Sequence, residues 1–365
     1  MPDTPTVLRS FRDRKLVASL SDLIRRTSKR EIRIMEICGG HTHAIHRFGL
    51  PDLLPPTIKL ISGPGCPVCV TPASYIDGII AACVEGGATI VTFGDLIRVP
   101  GSELSLESAR ARGGNIRIIY SPLDAVEIAS KTDKETILLA LGFETTAPAI
   151  AVAVKEAAQK GLDNFHIASA LKLMPPAMTA LAEMEDCRID GFICPGHVSA
   201  IIGWEPYQPL VDRFGLACAV SGFEPLDIME SILGIVRQVE ERKPCVFNQY
   251  DRVVTGRGNE RALDTIHEVF SIGPGHWRGL GDIGESGLYL KERYSEFDAS
   301  SVIPVRAGRP RQDISGCICP EILTGKADPS QCVLFSHKCR PDNPVGACMV
   351  SREGTCYIWH KYNIV

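Results

Sequence analysis

From residue 31 to about residue 222, short runs of β-branched and other apolar residues alternate with stretches of helical periodicity. The runs Ile32–Ile37, Thr57–Ser62, Ala88–Phe93, Ile116–Tyr120, Thr136–Leu141, Phe165–Ala170, Gly191–Cys194 and Leu216–Ser221 read as strands. Ala73–Glu85, Leu123–Ser130, Ala147–Lys160 and Pro176–Glu185 read as helices. Strands that are apolar at nearly every position are buried on both faces, as in parallel sheets covered by helices. Eight such strands fit a (β/α)₈ barrel or two four-stranded lobes. The chemistry-bearing loops fall into two sets, before and after about residue 121, which favours two Rossmann-like lobes at 31–120 and 121–223.

The flanks complete the expected organisation. Residues 1–30 suit one amphipathic helix with Leu16, Leu20 and Leu23 turned inward. Residues 224–243 read as one long helix, the Gly-rich stretch 251–300 has no clear period, and Ala307–Arg311 reads as a linker. That makes 224–310 a connecting region and 311–365 a small cysteine-rich domain. Gly-Phe-Glu at 142–144 and 222–224, and Pro-Gly-His at 195–197 and 274–276, hint at duplication.

Composition narrows the function classes. Of 365 residues, 45% are apolar and 22% charged, an ordinary globular balance. Lys+Arg is 39 against Asp+Glu 43, a net charge of −4, which gives no support to a nucleic-acid or anionic-membrane partner. No apolar run approaches the roughly 18 residues that span a bilayer. Arg9, Arg12, Asp13, Arg14 and Lys15 interrupt any signal-peptide core, so a cytoplasmic location is expected. Six of the 14 cysteines lie from Cys317 onward, a concentration that in a cytosolic chain points to metal or redox chemistry.

Four motifs carry that chemistry. Cys38-Gly-Gly-His-Thr-His43 follows the first strand, where open α/β sheets bind ligands and where two glycines permit close approach. Gly63-Pro-Gly-Cys66-Pro-Val-Cys69-Val-Thr-Pro72 places two thiols ahead of a helix that Thr71 is expected to cap. The helix dipole there favours thiolate and a dithiol/disulfide couple. Half of a zinc site with His41 and His43 is the competing reading. Gly142-Phe-Glu-Thr-Thr146 and Pro195-Gly-His-Val-Ser199 also follow strands, so Glu144 and His197 would face the same strand-end cleft as the cysteines, a capping carboxylate and a satisfied histidine being the equal alternative, with Thr145 or Thr146 as a helix cap. The tail, Cys317-x-Cys319-x₁₂-Cys332-x₆-Cys339-x₈-Cys348-x₇-Cys356, has two cysteines more than one [4Fe–4S] cluster or one zinc takes. Cys83, Cys187, Cys218 and Cys245 read as buried bystanders, and Cys194 is open.

These motifs, in this order and with Pro344-Val-Gly-Ala-Cys348-Met-Val-Ser-Arg-Glu353-Gly-Thr-Cys356, resemble the HypD family of [NiFe]-hydrogenase maturation proteins from about residue 31 onward. The resemblance implies a scaffold on which an Fe(CN)₂CO unit is assembled, with a small HypC-type chaperone and a HypE-type donor of cyanide as a thiocyanate. It implies one [4Fe–4S] cluster held by Cys317, Cys332, Cys339 and Cys356, and hence a small iron–sulfur domain. It further implies a redox pair of Cys319 and Cys348, a second pair of Cys66 and Cys69, and Cys38 as the iron-binding thiol. His41, His43, His197 and Glu353 would support them. Pro320 departs from the family pattern, which has Gly after Cys319. Two other classes remain to be weighed: a cluster-containing disulfide reductase, which needs Cys66 and Cys69 but not Cys38, and a zinc-dependent hydrolase or interaction module.

Overall fold

All eight expected strands form, each within a residue of its expected ends: β1 (Ile32–Glu36), β2 (Ile58–Ser62), β3 (Thr89–Phe93), β4 (Ile116–Ile119), β5 (Thr136–Gly142), β6 (Phe165–Leu171), β7 (Gly191–Cys194) and β8 (Ala217–Val220). The structure, a computed structural model, describes residues 10–186, 188–303 and 316–362. The Ala307–Arg311 linker and Cys187 lie outside the described residues. A short strand β9 (Val246–Asn248) follows the long helix, and the Gly-rich stretch 251–300 supplies a helix Glu260–Val269 and a hairpin of β10 (Phe270–Trp277) and β11 (Gly281–Leu290).

The strands make two parallel sheets rather than a barrel, but the sheets do not divide near residue 121. One sheet has the order β4-β3-β5-β6 and the other β2-β1-β7-β8-β9. The chain leaves the second sheet after β2, builds the first sheet entirely, and returns. Burial explains the arrangement. β1 is almost wholly buried and needs a partner on each side, which β2 and β7 provide (Ile32↔Ile58, Ile34↔Gly191). β2 exposes Lys59 and forms the edge. Two four-stranded lobes split by chain position are thus replaced by interleaved sheets of four and five strands.

The helix Arg14–Thr27 is present and packs on Pro225–Glu241, the long helix expected at 224–243. Its buried residues are Val17, Ser21 and Ile24. Leu16, expected inward, is 48% exposed, because the i, i+4, i+7 stripe through Val17 points at the neighbour. Where Pro225–Glu241 begins, Asp227 is fully buried and accepts from both Nη atoms of Arg252 and from Gln249. Asp227→Ala is expected to cost about 3 kcal/mol, because the guanidinium loses a buried partner yet still reaches solvent; urea denaturation checks this.

Cys83 and Cys218 are buried as expected, and Cys194, left open by the sequence, is buried too, but Cys245 is exposed at the start of the edge strand β9. The two Pro-Gly-His phrases are not equivalent. The first opens the helix Gly196–Ile202, whereas the second lies within β10. Among the described residues, no helix is long and apolar enough to cross a membrane.

Candidate functional site

The interleaving brings the motifs together. The loops after β1, β2, β7 and β8 carry Cys38, Cys66 and Cys69, His197, and Phe223, and all four leave the carboxyl edge of one parallel sheet. The Cys66 loop presses on the Cys38 backbone. Gly63 N–H donates to the Glu36 carbonyl and Gly39 N–H to the Gly65 carbonyl. A Cβ at Gly65 would stand 2.3 Å from the Cys38 nitrogen, so only glycine allows this approach. The fourth wall is the tail, where Glu353 packs over Gly39.

Cys38 is partly buried in the wall of this crevice. Burial of its sulfur, and then the nearby Glu353 carboxylate, push its thiol up to about 12. A thiol so held stays protonated unless a cation binds it. His41 is fully buried, and its Nε2 faces the carbonyls of Ser221 (3.2 Å) and Gly222 (3.0 Å). Burial lowers its pKa to about 4, so the ring is neutral and Nε2 carries the proton. Its Nδ1 is buried without a partner and can accept but not donate. The ring stacks on Phe223 at 4.5 Å, and His197 stacks on the same phenyl ring at 4.0 Å. His43 turns away, with Nε2 near Tyr362 Oη (3.2 Å) and Lys361 Nζ (3.3 Å) on the last helix. Glu144 follows β5 in the other sheet. It accepts from Met174 N–H at 2.8 Å instead of joining His197.

The thiols of the two distant motifs meet. Cys348 is fully buried and receives hydrogen bonds from the thiols of Cys319, Cys356 and Cys69. Cys69 also contacts Cys66, whose sulfur accepts from Cys69 N–H at 3.3 Å. Three donors on one sulfur lower the Cys348 pKa, whereas burial raises Cys69 well above the ordinary thiol value. The expectation that a helix N-terminus favours thiolate at Cys69 is therefore corrected: burial outweighs the dipole. Pro72, not Thr71, takes the N-cap position, and Thr71 Oγ1 donates to the Pro67 carbonyl. Thr146 occupies its N-cap without a side-chain hydrogen bond.

Cys317, Cys319, Cys332, Cys339 and Cys356 line a small cavity whose other walls include Ile322, Leu334, Phe335 and Met349. Among the described residues, no three His, Cys, Asp or Glu side chains converge to hold a single ion. Thiols spaced around an apolar cavity fit instead a polynuclear cluster, in which each iron takes one protein thiolate.

Sequence reasoning missed Glu36 and Phe223. Glu36 is buried behind Cys38, accepting from Thr42 Oγ1 (2.7 Å) and from Cys38 N–H (3.4 Å). A lone carboxylate ending an apolar strand was the available signal. Burial raises Glu36 to about 8 and Glu144 to about 7, from 4.5. Both hold a proton in the folded chain that the unfolded chain has released, so stability falls as pH rises from 4.5 towards 8. His41 and His46, lowered by burial to about 4, act in the opposite direction, but only below pH 6.5. The urea midpoint is therefore expected to fall between pH 6.5 and 8, and to fall less in Glu36→Gln.

Residues 14–363 match the family described as "HypD: Hydrogenase formation hypA family". The chain is 42% identical over 351 residues to the hydrogenase maturation factor HypD of Rhodobacter capsulatus, covering 95% of this chain and 93% of that one. It is 43% identical over 342 residues to that of Azotobacter vinelandii, covering 92% and 90%. With that of Escherichia coli K12 it shares 42% over 340 residues, again covering 92% and 90%.

Proposed function

The chain belongs to the HypD family of hydrogenase maturation factors, and on that footing we propose that it is a redox-active scaffold for assembling an Fe(CN)₂CO unit. The observation that carries this reading is the run of touching thiols from Cys66 and Cys69 to Cys348 and Cys319, beside Cys38 in one crevice. The iron is cargo. Cys38 supplies a soft thiolate suited to a ferrous ion with CO and cyanide ligands. Its thiol proton must leave when iron binds, and the unpartnered Nδ1 of His41 is an acceptor in the same wall. With Nδ1 unprotonated, His41 accepts a hydrogen bond here, and hydrogen bonding to a cyanide nitrogen falls to other donors.

Cyanide arrives as a thiocyanate, R–S–C≡N, from a HypE-type donor, and a HypC-type chaperone shares the iron. Two thiols release it: R–S–C≡N + 2 Cys–SH → R–SH + HCN + Cys–S–S–Cys, a two-electron reduction that leaves one disulfide. Cys66 and Cys69 are the pair at the crevice; Cys319 and Cys348 lie behind them and restore the dithiol by exchange. Cys317, Cys332, Cys339 and Cys356 would hold a [4Fe–4S] cluster, which supplies electrons singly when bound. Thiols that must cycle suit the reducing cytoplasm. Air-oxidised protein is expected to contain a Cys66–Cys69 disulfide that reductant opens, read by mass spectrometry after alkylation. Its absence at every oxidising poise, with bound zinc instead, would contradict the dithiol role.

A further inference from the structure

The β10–β11 hairpin contributes no thiol, yet its tip lies between the two loops that do. On one side, Arg278 N–H donates to the Val70 carbonyl (2.7 Å) and Arg278 Nε to the Thr71 carbonyl (2.8 Å), directly after Cys69. On the other side, Gly279 lies against Pro320, the residue after Cys319. A Cβ at 279 would stand 2.9 Å from Pro320 Cα, and φ there is +83°, which strains any side chain. The departure from the family pattern at Pro320 thus coincides with a contact to this tip.

The tip is also firmly rooted. Trp277, the residue before Arg278, is fully buried and donates from Nε1 to Ser286 Oγ at 2.8 Å. Lys172 Nζ lies 5.4 Å from the centre of the Trp277 ring and donates to the His276 carbonyl at 2.7 Å. Arg278 Nη2 is buried without a partner, so this guanidinium is committed to the thiol loop at a desolvation cost that a surface arginine avoids.

We propose that Arg278 and Gly279 are positioning residues for thiol exchange, holding the Cys66–Cys69 loop and the Cys319 turn at the spacing that keeps Cys69 and Cys348 in reach. This rests on the relay reading of the thiols. In the step concerned, the Cys348 thiolate attacks Cys69 Sγ of the Cys66–Cys69 disulfide, and Cys66 leaves and takes a proton. The Cys319 thiolate then attacks Cys348 Sγ of the mixed disulfide. The Cys319–Cys348 bond forms and Cys69 is released as a thiol. One disulfide is lost and one gained, and two electrons pass with two protons. The mixed Cys69–Cys348 disulfide joins two loops far apart in sequence, so its formation depends on their effective concentration, the quantity a rigid clamp raises.

The test uses the full chain carrying Cys66→Ser and Cys319→Ser, which removes the competing relay thiols. Equilibrated with glutathione buffers of graded ratio, then acid-quenched and alkylated, the yield of Cys69–Cys348 disulfide gives that effective concentration by mass spectrometry. Adding Arg278→Met or Gly279→Ala is expected to lower it about tenfold or more, with melting curves confirming that each variant folds. Arg278→Lys keeps a charged donor for the Thr71 carbonyl and is expected to recover it to within about threefold of arginine. An unchanged yield in folded Arg278→Met and Gly279→Ala would overturn the clamp and leave the relay standing. Absence of the Cys69–Cys348 disulfide at every ratio, with Arg278 intact, would remove the relay and the clamp with it.

Discussion

Alanine in place of any one of Cys317, Cys332, Cys339 or Cys356 is expected to bleach the anaerobically purified protein, taking iron and acid-labile sulfide from about four of each per chain to near none. Each of these thiols lines the cavity, and a cubane that loses one ligand exposes an iron to exchange. Cys319 and Cys348 provide the contrast. Cys319 also reaches the cavity, and both it and Cys356 bond to Cys348 behind the wall, so the family resemblance rather than the geometry assigns Cys356 to the cluster and Cys319 to the exchanging pair. Their alanine variants are expected to keep the brown colour while losing exchange with Cys66 and Cys69. Visible absorption with iron and sulfide analysis separates the groups. If Cys319→Ala bleaches and Cys317→Ala does not, the ligand set must be redrawn around Cys319. Colourless wild-type protein with stoichiometric zinc would end the cluster reading altogether.

The strands were legible because a parallel sheet buried on both faces writes continuous apolar runs, as in Thr136–Gly142, where all seven residues are buried. Which sheet each strand joins was not legible. Periodicity says that Gly191–Cys194 is buried but not that it lies beside Ile32–Glu36, and that pairing creates the site. The β10–β11 hairpin was hidden for a related reason. Only Phe270, Gly275 and Trp277 of β10 are buried, and a register shift at Gly273–Gly275 breaks the period of two.

The thiols were easier to find, since Cys38, Cys66 and Cys69 follow predicted strands and glycine marks their turns. Their neighbours were harder. Phe223 lay in a repeated Gly-Phe-Glu phrase that had no assigned role, yet it is the ring on which His41 and His197 both stack. His41 and His43 differ by two positions in one helix, so they face different partners; a motif read as a string does not part them. Dipole reasoning at Cys69 failed because it counts the helix terminus and not the desolvation of a sulfur with no exposed surface.

The central claim is that Cys38 holds the iron, and Cys38→Ser is where its effect should be largest. Serine keeps the shape but offers a hard hydroxyl that is protonated near neutral pH. The sulfur takes backbone N–H groups of His41 and Gly40, which a serine oxygen can also accept. The Gly65 and Gly39 contacts are made by backbone, and the Cys69–Cys348 contact lies beyond it. The variant is therefore expected to fold, keep its colour and cycle Cys66 and Cys69, but to fail in hydrogenase maturation. The direct measurement is an anaerobic infrared spectrum of the protein purified with its chaperone partner, in the region where bound cyanide and CO stretch. The account predicts both sets of bands with Cys38 and neither with serine. Bands at undiminished intensity in Cys38→Ser would contradict it and place the iron on the partner or on Cys66 and Cys69.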